Sequence, residues 1–160
     1  MRPKKSVSLL GLLGLLGLAL PAMAQQPLMD LTTFPSGTLA IHGKSARHEF
    51  SIWIAATPAR QMQGLMFVRE LPRDQGMLFV HSEPQVQAMW MKNTYLPLDM
   101  LFIDARGRVV TIVANTTPHS LKTLSSRVPV LGVLEIAAGE AKRRQIRIGD
   151  RVMHAAFSGK

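Results

Sequence analysis

After its first 24 residues, the chain consists of short apolar segments that are separated by glycine, proline and polar turn residues. The clearest pair of segments, residues 98–104 and 108–114, is joined by Ala105-Arg106-Gly107, where the glycine allows the positive φ of a tight hairpin. The helices that a doubly wound parallel sheet would need between its strands are missing from this pattern. The chain is therefore constrained to an architecture of short antiparallel strands.

Hydrophobic alternation and turn residues together predict about eight short strands. They cover residues 38–42, 49–55, 77–80, 89–91, 98–104, 108–114, 130–137 and 151–155. Thr57 followed by Pro58 is typical of a helix start, and residues 115–129 are expected to form a long polar loop. The predicted fold class is mainly β (α+β): a compact antiparallel β-sandwich or partly open barrel with one short helix.

The first 24 residues have the pattern of a secretory signal peptide. Basic residues near the N-terminus precede an apolar run, 7–20, and the small residues Ala22-Met23-Ala24 follow it. The run is shorter than the roughly 20 residues of a membrane-spanning helix. We therefore expect cleavage after Ala24 and a periplasmic or secreted protein. In the remainder we expect a loose N-terminal leader (25–37), a single globular domain (38–155) and a C-terminal tail (156–160).

Composition excludes several classes of site and partner. The chain has no cysteine, so it has no disulfide, no thiolate-bound metal and no cysteine nucleophile. Its net charge is +9, and a basic run lies late in the chain, at Lys142, Arg143, Arg144, Arg147 and Arg151. Export, and the lack of aromatic residues within this run, argue against nucleic acid as a partner. We expect an unknown envelope ligand or protein instead, with membrane contact only through an uncleaved signal peptide or this basic C-terminal face.

Methionine, a soft ligand, and histidine, a borderline one, are the remaining side chains that could bind a transition metal. Six of the ten methionines lie between positions 62 and 100. Thioethers bind Cu(I), but these methionines lie at helix and strand positions, where methionine usually fills gaps in a core. The five histidines are scattered, and no second histidine completes a zinc-protease motif after His48-Glu49. We therefore expect no metal and no cofactor.

Three charged residues interrupt or border apolar segments. Asp99 and Glu135 lie within two of the predicted strands, and Lys92 directly follows a third. Because an unpaired buried charge costs roughly several kcal/mol, we expect Lys92, or Arg60 from the helix, to pair with Asp99 or Glu135. Two interpretations stay open: an ion-pair cluster that only stabilises the fold, and a cleft that holds a polar ligand or performs acid–base chemistry.

Three groups of residues in this chain form a recognisable set. They are Arg60-x-x-x-Gly-Leu-Met66 with Leu71; Gly76-Met-Leu-Phe79 with Trp90-Met-Lys-Asn-Thr94-x-x-Pro-Leu-Asp99, Phe102-Ile-Asp104 and Gly107; and Leu134-Glu135 with Gly139 and Gly149-Asp150. Over about residues 38–155 the chain resembles the family called domain of unknown function 192, although Met89 stands where an aromatic residue is expected. The resemblance implies a compact β-rich fold with a small helical element, and it implies no activity.

The motif positions that this resemblance singles out include the charged residues noted above. The candidate ligand-binding residues are Arg60, Trp90, Lys92, Asn93, Thr94, Asp99 and Glu135. The leading hypothesis is a non-enzymatic module that binds a small polar ligand, a glycan or an envelope partner, with Trp90 supplying apolar contact area. Two alternatives remain: a small envelope-acting hydrolase that uses Asp99 and Glu135 as acid and base, and a structural accessory protein without a ligand. No catalytic residue is assigned.

Overall fold

A computed structural model describes residues 28–44 and 46–158. The predicted signal peptide, residues 1–24, lies outside the described residues. The strands are β1 (Ser36–His42), β2 (Arg47–Ala55), β3 (Gln75–Met89), β4 (Leu98–Ile103), β5 (Val109–Val113), β6 (Leu124–Ala137) and β7 (Arg151–Met153). The helices are α1 (Pro58–Gln63) and α2 (Glu140–Arg143), with 3-10 turns at Leu31–Thr33 and Ala155–Phe157. None of these helices is long and apolar enough to cross a membrane.

The seven strands form one sheet in the order β5-β4-β6-β3-β2-β1-β7. The sheet curls until its two edge strands approach each other. There the Val109 amide donates to the Asp150 carbonyl at 3.0 Å, and the Val152 amide donates to the Gly107 carbonyl at 2.7 Å. The mainly β fold class is therefore confirmed, in the form of a curled half-barrel with two short helices.

One strand pair departs from the expected antiparallel arrangement. Strand β3 runs parallel to β2, with Ile52 opposite Gly76 and Ile54 opposite Leu78. A parallel pair requires a crossover connection, since a tight turn can only reverse the chain. Residues 56–74, which include α1, supply this crossover. The expectation of a purely antiparallel sheet is corrected for this pair.

The two faces of the sheet bury separate apolar cores. All seven strands contribute to an inner core, with Leu39, Phe50, Leu101 and Leu134 among its buried residues, and α2 packs Ala141 against it. An outer core lies on the other face of β3, β4 and β6, and Phe34 and Leu65 cover it from the N-terminal segment and the turn after α1. Because both faces of the central strands are covered, their sequences are nearly continuous apolar runs.

Two stretches of the chain differ from the strand prediction. Residues 77–80 and 89–91 are not two short strands, because β3 continues from Gln75 to Met89. The predicted loop 115–129 is wrong beyond residue 123, where β6 begins. The end of β3 pairs with the start of β6, for example Met89 with Leu124, although the register shifts twice. Most side chains of this two-stranded part are exposed, so its sequence lacks the apolar alternation of a strand.

Helix α1 begins where its sequence predicts and is short. The Thr57 hydroxyl accepts from the Arg60 amide at 3.4 Å, and Pro58 occupies the first turn. The helix ends at Gly64, whose φ of +49° favours glycine. A Cβ at Gly64 would lie 2.9 Å from Phe79 Cζ, so the turn also packs closely against β3.

Replacing Gly64 with alanine should therefore destabilise the fold strongly. We expect Gly64→Ala to lower the free energy of unfolding by at least about 3 kcal/mol, since backbone strain adds to the contact with Phe79. Gly139→Ala is the matched control, because Gly139 also has a positive φ (+83°) but no atom lies within 4 Å of its added Cβ. That change should cost only about 1 kcal/mol. Urea unfolding of both variants measures the difference, and equal losses would contradict the close packing at Gly64.

Candidate functional site

Glu135 lies at the centre of the sheet on β6, the strand that pairs with both β3 and β4. Its direct cross-strand partners are Met77 on β3 and Met100 on β4. Its side chain therefore points to the same face as these two methionines, which belong to the outer core. The residue is only 4% exposed, so its carboxyl is surrounded largely by apolar groups.

The Glu135 carboxyl has no protein partner among the described residues. Within residues 28–44 and 46–158 no group donates a hydrogen bond to it, and no Lys, Arg or His nitrogen lies within 4.0 Å. Burial alone raises the pKa of Glu135 from 4.5 to about 8, because the apolar surroundings disfavour the charged form. At neutral pH the group is therefore mostly a protonated acid, which can both donate and accept a hydrogen bond.

Glu135 borders an open cavity with a volume of about 350 Å³. This size is within the range of small-molecule sites. One wall comes from α1 and the turn after it, and the opposite wall comes from the second half of β3 and residues 90–94. The lining residues are Pro58, Gln61, Met62, Gln63, Gly64, Leu65, Met66, Phe79, His81, Gln87, Ala88, Met89, Trp90, Lys92, Thr94 and Glu135. Glu135 is the only acid among them.

Two further polar groups of the cavity lining lack partners. The Nε2 atoms of His81 and Gln87 are both buried and make no hydrogen bond with any described residue. Burial also lowers the pKa of His81, so its imidazole is neutral at neutral pH. Buried polar atoms are rarely left unpaired in folded proteins, and each exception points to water, an ion or a ligand.

Trp90, Lys92 and Thr94 complete the cavity on the side of the connection between β3 and β4. The Trp90 side chain is 50% exposed, and the Lys92 Nζ lies 5.4 Å from the centre of its ring. Thr94 is buried, and its hydroxyl donates to the Lys92 carbonyl at 3.2 Å. The wall therefore combines an exposed aromatic face with a cation held against it.

Asn93 lies within residues 90–94 but does not line the cavity. Its backbone has a φ of +55°, and its carbonyl accepts from the Phe67 amide at 2.9 Å. Its side-chain amide donates to the Met66 sulfur at 3.9 Å. Asn93 thus connects the turn after α1 to residues 90–94, the two segments between which the cavity opens.

Asp99 is on the opposite face of the sheet from Glu135. Its cross-strand partner on β6 is Ile136, the next residue after Glu135, and adjacent residues of a strand point to opposite faces. The two carboxylate oxygens of Asp99 accept from the Asn115 amide and from the Ala141 amide, each at 2.9 Å. Asp99 is therefore a fully buried structural residue that joins α2 and the end of β5 to β4.

Arg60 is also outside the cavity lining. Its guanidinium donates to the Thr33 carbonyl at 3.2 Å and lies 5.5 Å from the centre of the Phe34 ring. The expected pairing of Lys92 or Arg60 with Asp99 or Glu135 is wrong: no such ion pair forms among the described residues. Asp99 binds backbone amides instead, and Glu135 avoids the cost of an unpaired charge by keeping its proton.

The structure thus divides the seven candidate residues into two groups. Trp90, Lys92, Thr94 and Glu135 line one cavity, whereas Arg60, Asn93 and Asp99 hold the surrounding elements. His81 and Gln87 were missed by the sequence analysis, because the irregular half of β3 that carries them shows no alternation from which a face could be assigned. No group of three or more His, Asp or Glu side chains that could hold a metal ion occurs within the described part of the chain.

The pH dependence of stability should reveal the buried acid. Because the pKa of Glu135 in the folded protein, about 8, lies above its ordinary 4.5, the folded state keeps a proton that the unfolded chain releases between these values. The wild-type free energy of unfolding should therefore fall relative to Glu135→Gln as pH rises through this window, by at most about 1.4 kcal/mol per pH unit. Glu83→Gln, at an exposed position on β3, serves as the control. A constant difference between wild type and Glu135→Gln would contradict the raised pKa.

Asp99 should be far more sensitive to amide substitution than Asp104, a half-buried aspartate with the same number of hydrogen bonds. Asp104 accepts two backbone amides through one oxygen, so an asparagine there keeps both bonds. Asp99 uses both oxygens, and an asparagine would direct its NH₂ group at a backbone N–H. We expect Asp99→Asn to cost about 2–4 kcal/mol and Asp104→Asn less than about 1 kcal/mol. Chemical denaturation measures both, and a small loss at Asp99 would refute its structural role.

Comparison with known proteins places this geometry in a family. The family model DUF192, described as "Uncharacterized ACR", matches residues 39–154. A crystal structure from Sinorhizobium meliloti 1021, of a protein described as a candidate transcription regulator, is 42% identical, with a TM-score of 0.75 over 77% of this chain and 96% of that chain. A protein of unknown function from Novosphingobium aromaticivorans DSM 12444 is 36% identical, with a TM-score of 0.76 over 82% of this chain and 94% of that chain. No curated protein matches the sequence. The chain belongs to the DUF192 family.

Proposed function

We propose that this protein is a non-enzymatic module that binds a small polar ligand in the cavity bordered by Glu135. The observation that carries this proposal is the Glu135 carboxyl itself, which is buried, partnerless among the described residues and open to a cavity of ligand size. A desolvated carboxyl without a partner lowers stability, and proteins retain such costs mainly where function needs them.

The cavity favours a ligand with several hydrogen-bonding groups and one apolar face. The protonated Glu135, the amide of Gln87 and the imidazole of His81 offer both donors and acceptors to such a molecule. Trp90 and Met89 on the wall offer apolar contact area. Hydroxyl and amide groups on a ring with an apolar face are the chemistry of sugars, so a glycan unit is the ligand class that we favour.

The geometry argues against a hydrolase that uses Asp99 and Glu135 as its acid and base. Glycoside hydrolysis by an acid and a base needs two carboxyl groups on opposite sides of one bond, within about 10 Å. Asp99 and Glu135 point to opposite faces of the sheet, and Asp99 is occupied by two backbone amides. Glu135 alone, with no second acid among the described residues of the cavity lining, supports binding better than turnover.

The Sinorhizobium meliloti protein is described as a candidate transcription regulator, but the helices of this chain argue against DNA binding through a recognition helix. The longest helix among the described residues, α1, has six residues, whereas a recognition helix must extend along the major groove. Because the sequence predicts a signal peptide, we also propose that the binding module acts in the periplasm or outside the cell.

Methionine methyl groups provide a direct test. Met62, Met66 and Met89 line the cavity, whereas Met153 is 44% exposed on β7 and outside the lining. We expect N-acetylglucosamine, muramyl dipeptide or another small envelope sugar to shift the ¹³C-methyl signals of the three cavity methionines and leave that of Met153 unchanged. Glu135→Gln should weaken this binding about tenfold, since it alters one hydrogen bond to a buried acid.

Glu83→Gln is the matched control for this titration, because it removes one exposed carboxylate on β3, the strand next to the one that carries Glu135. Its affinity should equal that of the wild type. Shifts spread equally over Met153 and the cavity methionines would indicate non-specific contact. If no sugar or peptide fragment of the panel moves the cavity signals, the accessory-protein hypothesis replaces the binding module.

A further inference from the structure

Four basic residues form a row across four neighbouring segments at the closing edge of the half-barrel. Arg47 on β2 lies opposite His42 on β1, His42 lies opposite Arg151 on β7, and Arg151 lies opposite Arg108 just before β5. Direct cross-strand partners share a face, so all four side chains lie on one side of the sheet. Their neighbours Ile41, Val109 and Val152 belong to the inner core, which places the basic row on the outer side.

A second cavity, with a volume of about 610 Å³, adjoins this row. It lies between the connection from β1 to β2 and the segment 144–151. Its cationic lining residues are Lys44, Arg144, Arg147 and Arg151, and His42 and His48 lie beside them. Asp150 is the only acid among the described residues of the lining, and its Oδ2 already accepts from the Arg147 amide at 2.8 Å. The cavity therefore presents an excess of positive charge.

Most of this charge is unpaired among the described residues. Arg144 is bound to Glu140 at 3.1 Å, and Arg47 is bound to Glu49 at 2.6 Å. By contrast, Lys44, Arg147 and Arg151 have no carboxylate within 4.0 Å in the described part of the chain. Arg151 also lies directly opposite Arg108, and like charges in that position destabilise a sheet, so this pair has a cost in the unliganded protein.

We infer that this cavity binds a phosphate-bearing anion. A concave surface with unpaired cations focuses its field on an anion, and arginine side chains match the oxygens of phosphate with paired hydrogen bonds. The volume exceeds that of inorganic phosphate and suits an organic phosphate, either a soluble metabolite or a phospholipid headgroup. The site is separate from the Glu135 cavity, since the two share no lining residue.

Calorimetric titration of the full chain with inositol hexakisphosphate and with pyrophosphate tests this site. The triple variant Lys44→Gln, Arg147→Gln and Arg151→Gln should lose at least about tenfold in affinity, the equivalent of one charge-assisted hydrogen bond. The matched control is Arg69→Gln, Arg106→Gln and Lys122→Gln, which removes three exposed cations elsewhere. It should bind as the wild type does. Added salt should weaken wild-type binding, because the attraction is electrostatic.

Vesicles of phosphatidylcholine, with and without phosphatidylglycerol, separate the two sources of phosphate. Binding to the anionic vesicles that only the cavity variant loses would assign the site to a lipid headgroup, whereas binding to the soluble phosphates alone would assign it to a metabolite. All three proteins share the same N-terminal residues, so differences between them come from the substituted positions. The proposal would be overturned if the cavity variant and the control variant lost affinity equally, or if no probe bound the wild type. Binding of duplex DNA that both variants weaken alike would also overturn it. The melting temperatures of both variants show that they are folded.

Discussion

The hydrogen-bond ladder that strand β6 makes with β3 on one side and β4 on the other determines the geometry of the whole molecule. Each residue from Gly132 to Ile136 has a partner on both neighbours. Since side chains alternate along a strand, this double pairing sends Leu134 and Ile136 to the inner core and Val133 and Glu135 to the outer one. A register shift of one residue would exchange the inner and outer side chains and put the Glu135 carboxyl inside the barrel. The register therefore also determines where the candidate site lies.

The outer face differs from the inner face in how it is closed. Strands and α2 enclose the inner core, whereas the outer core is covered by single segments. Gln63 exchanges two hydrogen bonds of 2.7 Å with the Met29 backbone, and Arg60 binds the Thr33 carbonyl, so α1 and the N-terminal segment hold each other in place. Between this cover and residues 90–94 a gap remains over Glu135. The cavity thus results from incomplete coverage of the outer face. At such a gap a residue at the centre of a sheet can border a cavity while all strands stay paired.

Local patterns were sufficient to predict much of the fold but only part of the site. The hairpin of β4 and β5, the start of α1 at Thr57 and the mainly β class follow from alternation, capping and turn residues, which act over a few positions. The parallel pairing of β2 and β3 and the basic row from Arg47 to Arg108 depend on contacts between distant segments, which no local pattern reports. Asp99 and Glu135 looked equivalent in sequence because both are acids in apolar strands. Only the register shows that one meets two backbone amides and the other a cavity.

The difference between these two acids also explains why Glu135 keeps its proton. Asp99 receives two N–H donors, which compensate for its loss of hydration. Glu135 receives none from the described residues, and Lys92, the one Lys or Arg among the described residues of its cavity lining, is held against the Trp90 ring. A ligand that stacks on Trp90 competes with Lys92 for that ring, and a ligand that donates a hydrogen bond to Glu135 favours its ionised form. A ligand of the kind proposed above would therefore couple the aromatic wall to the protonation of the buried acid.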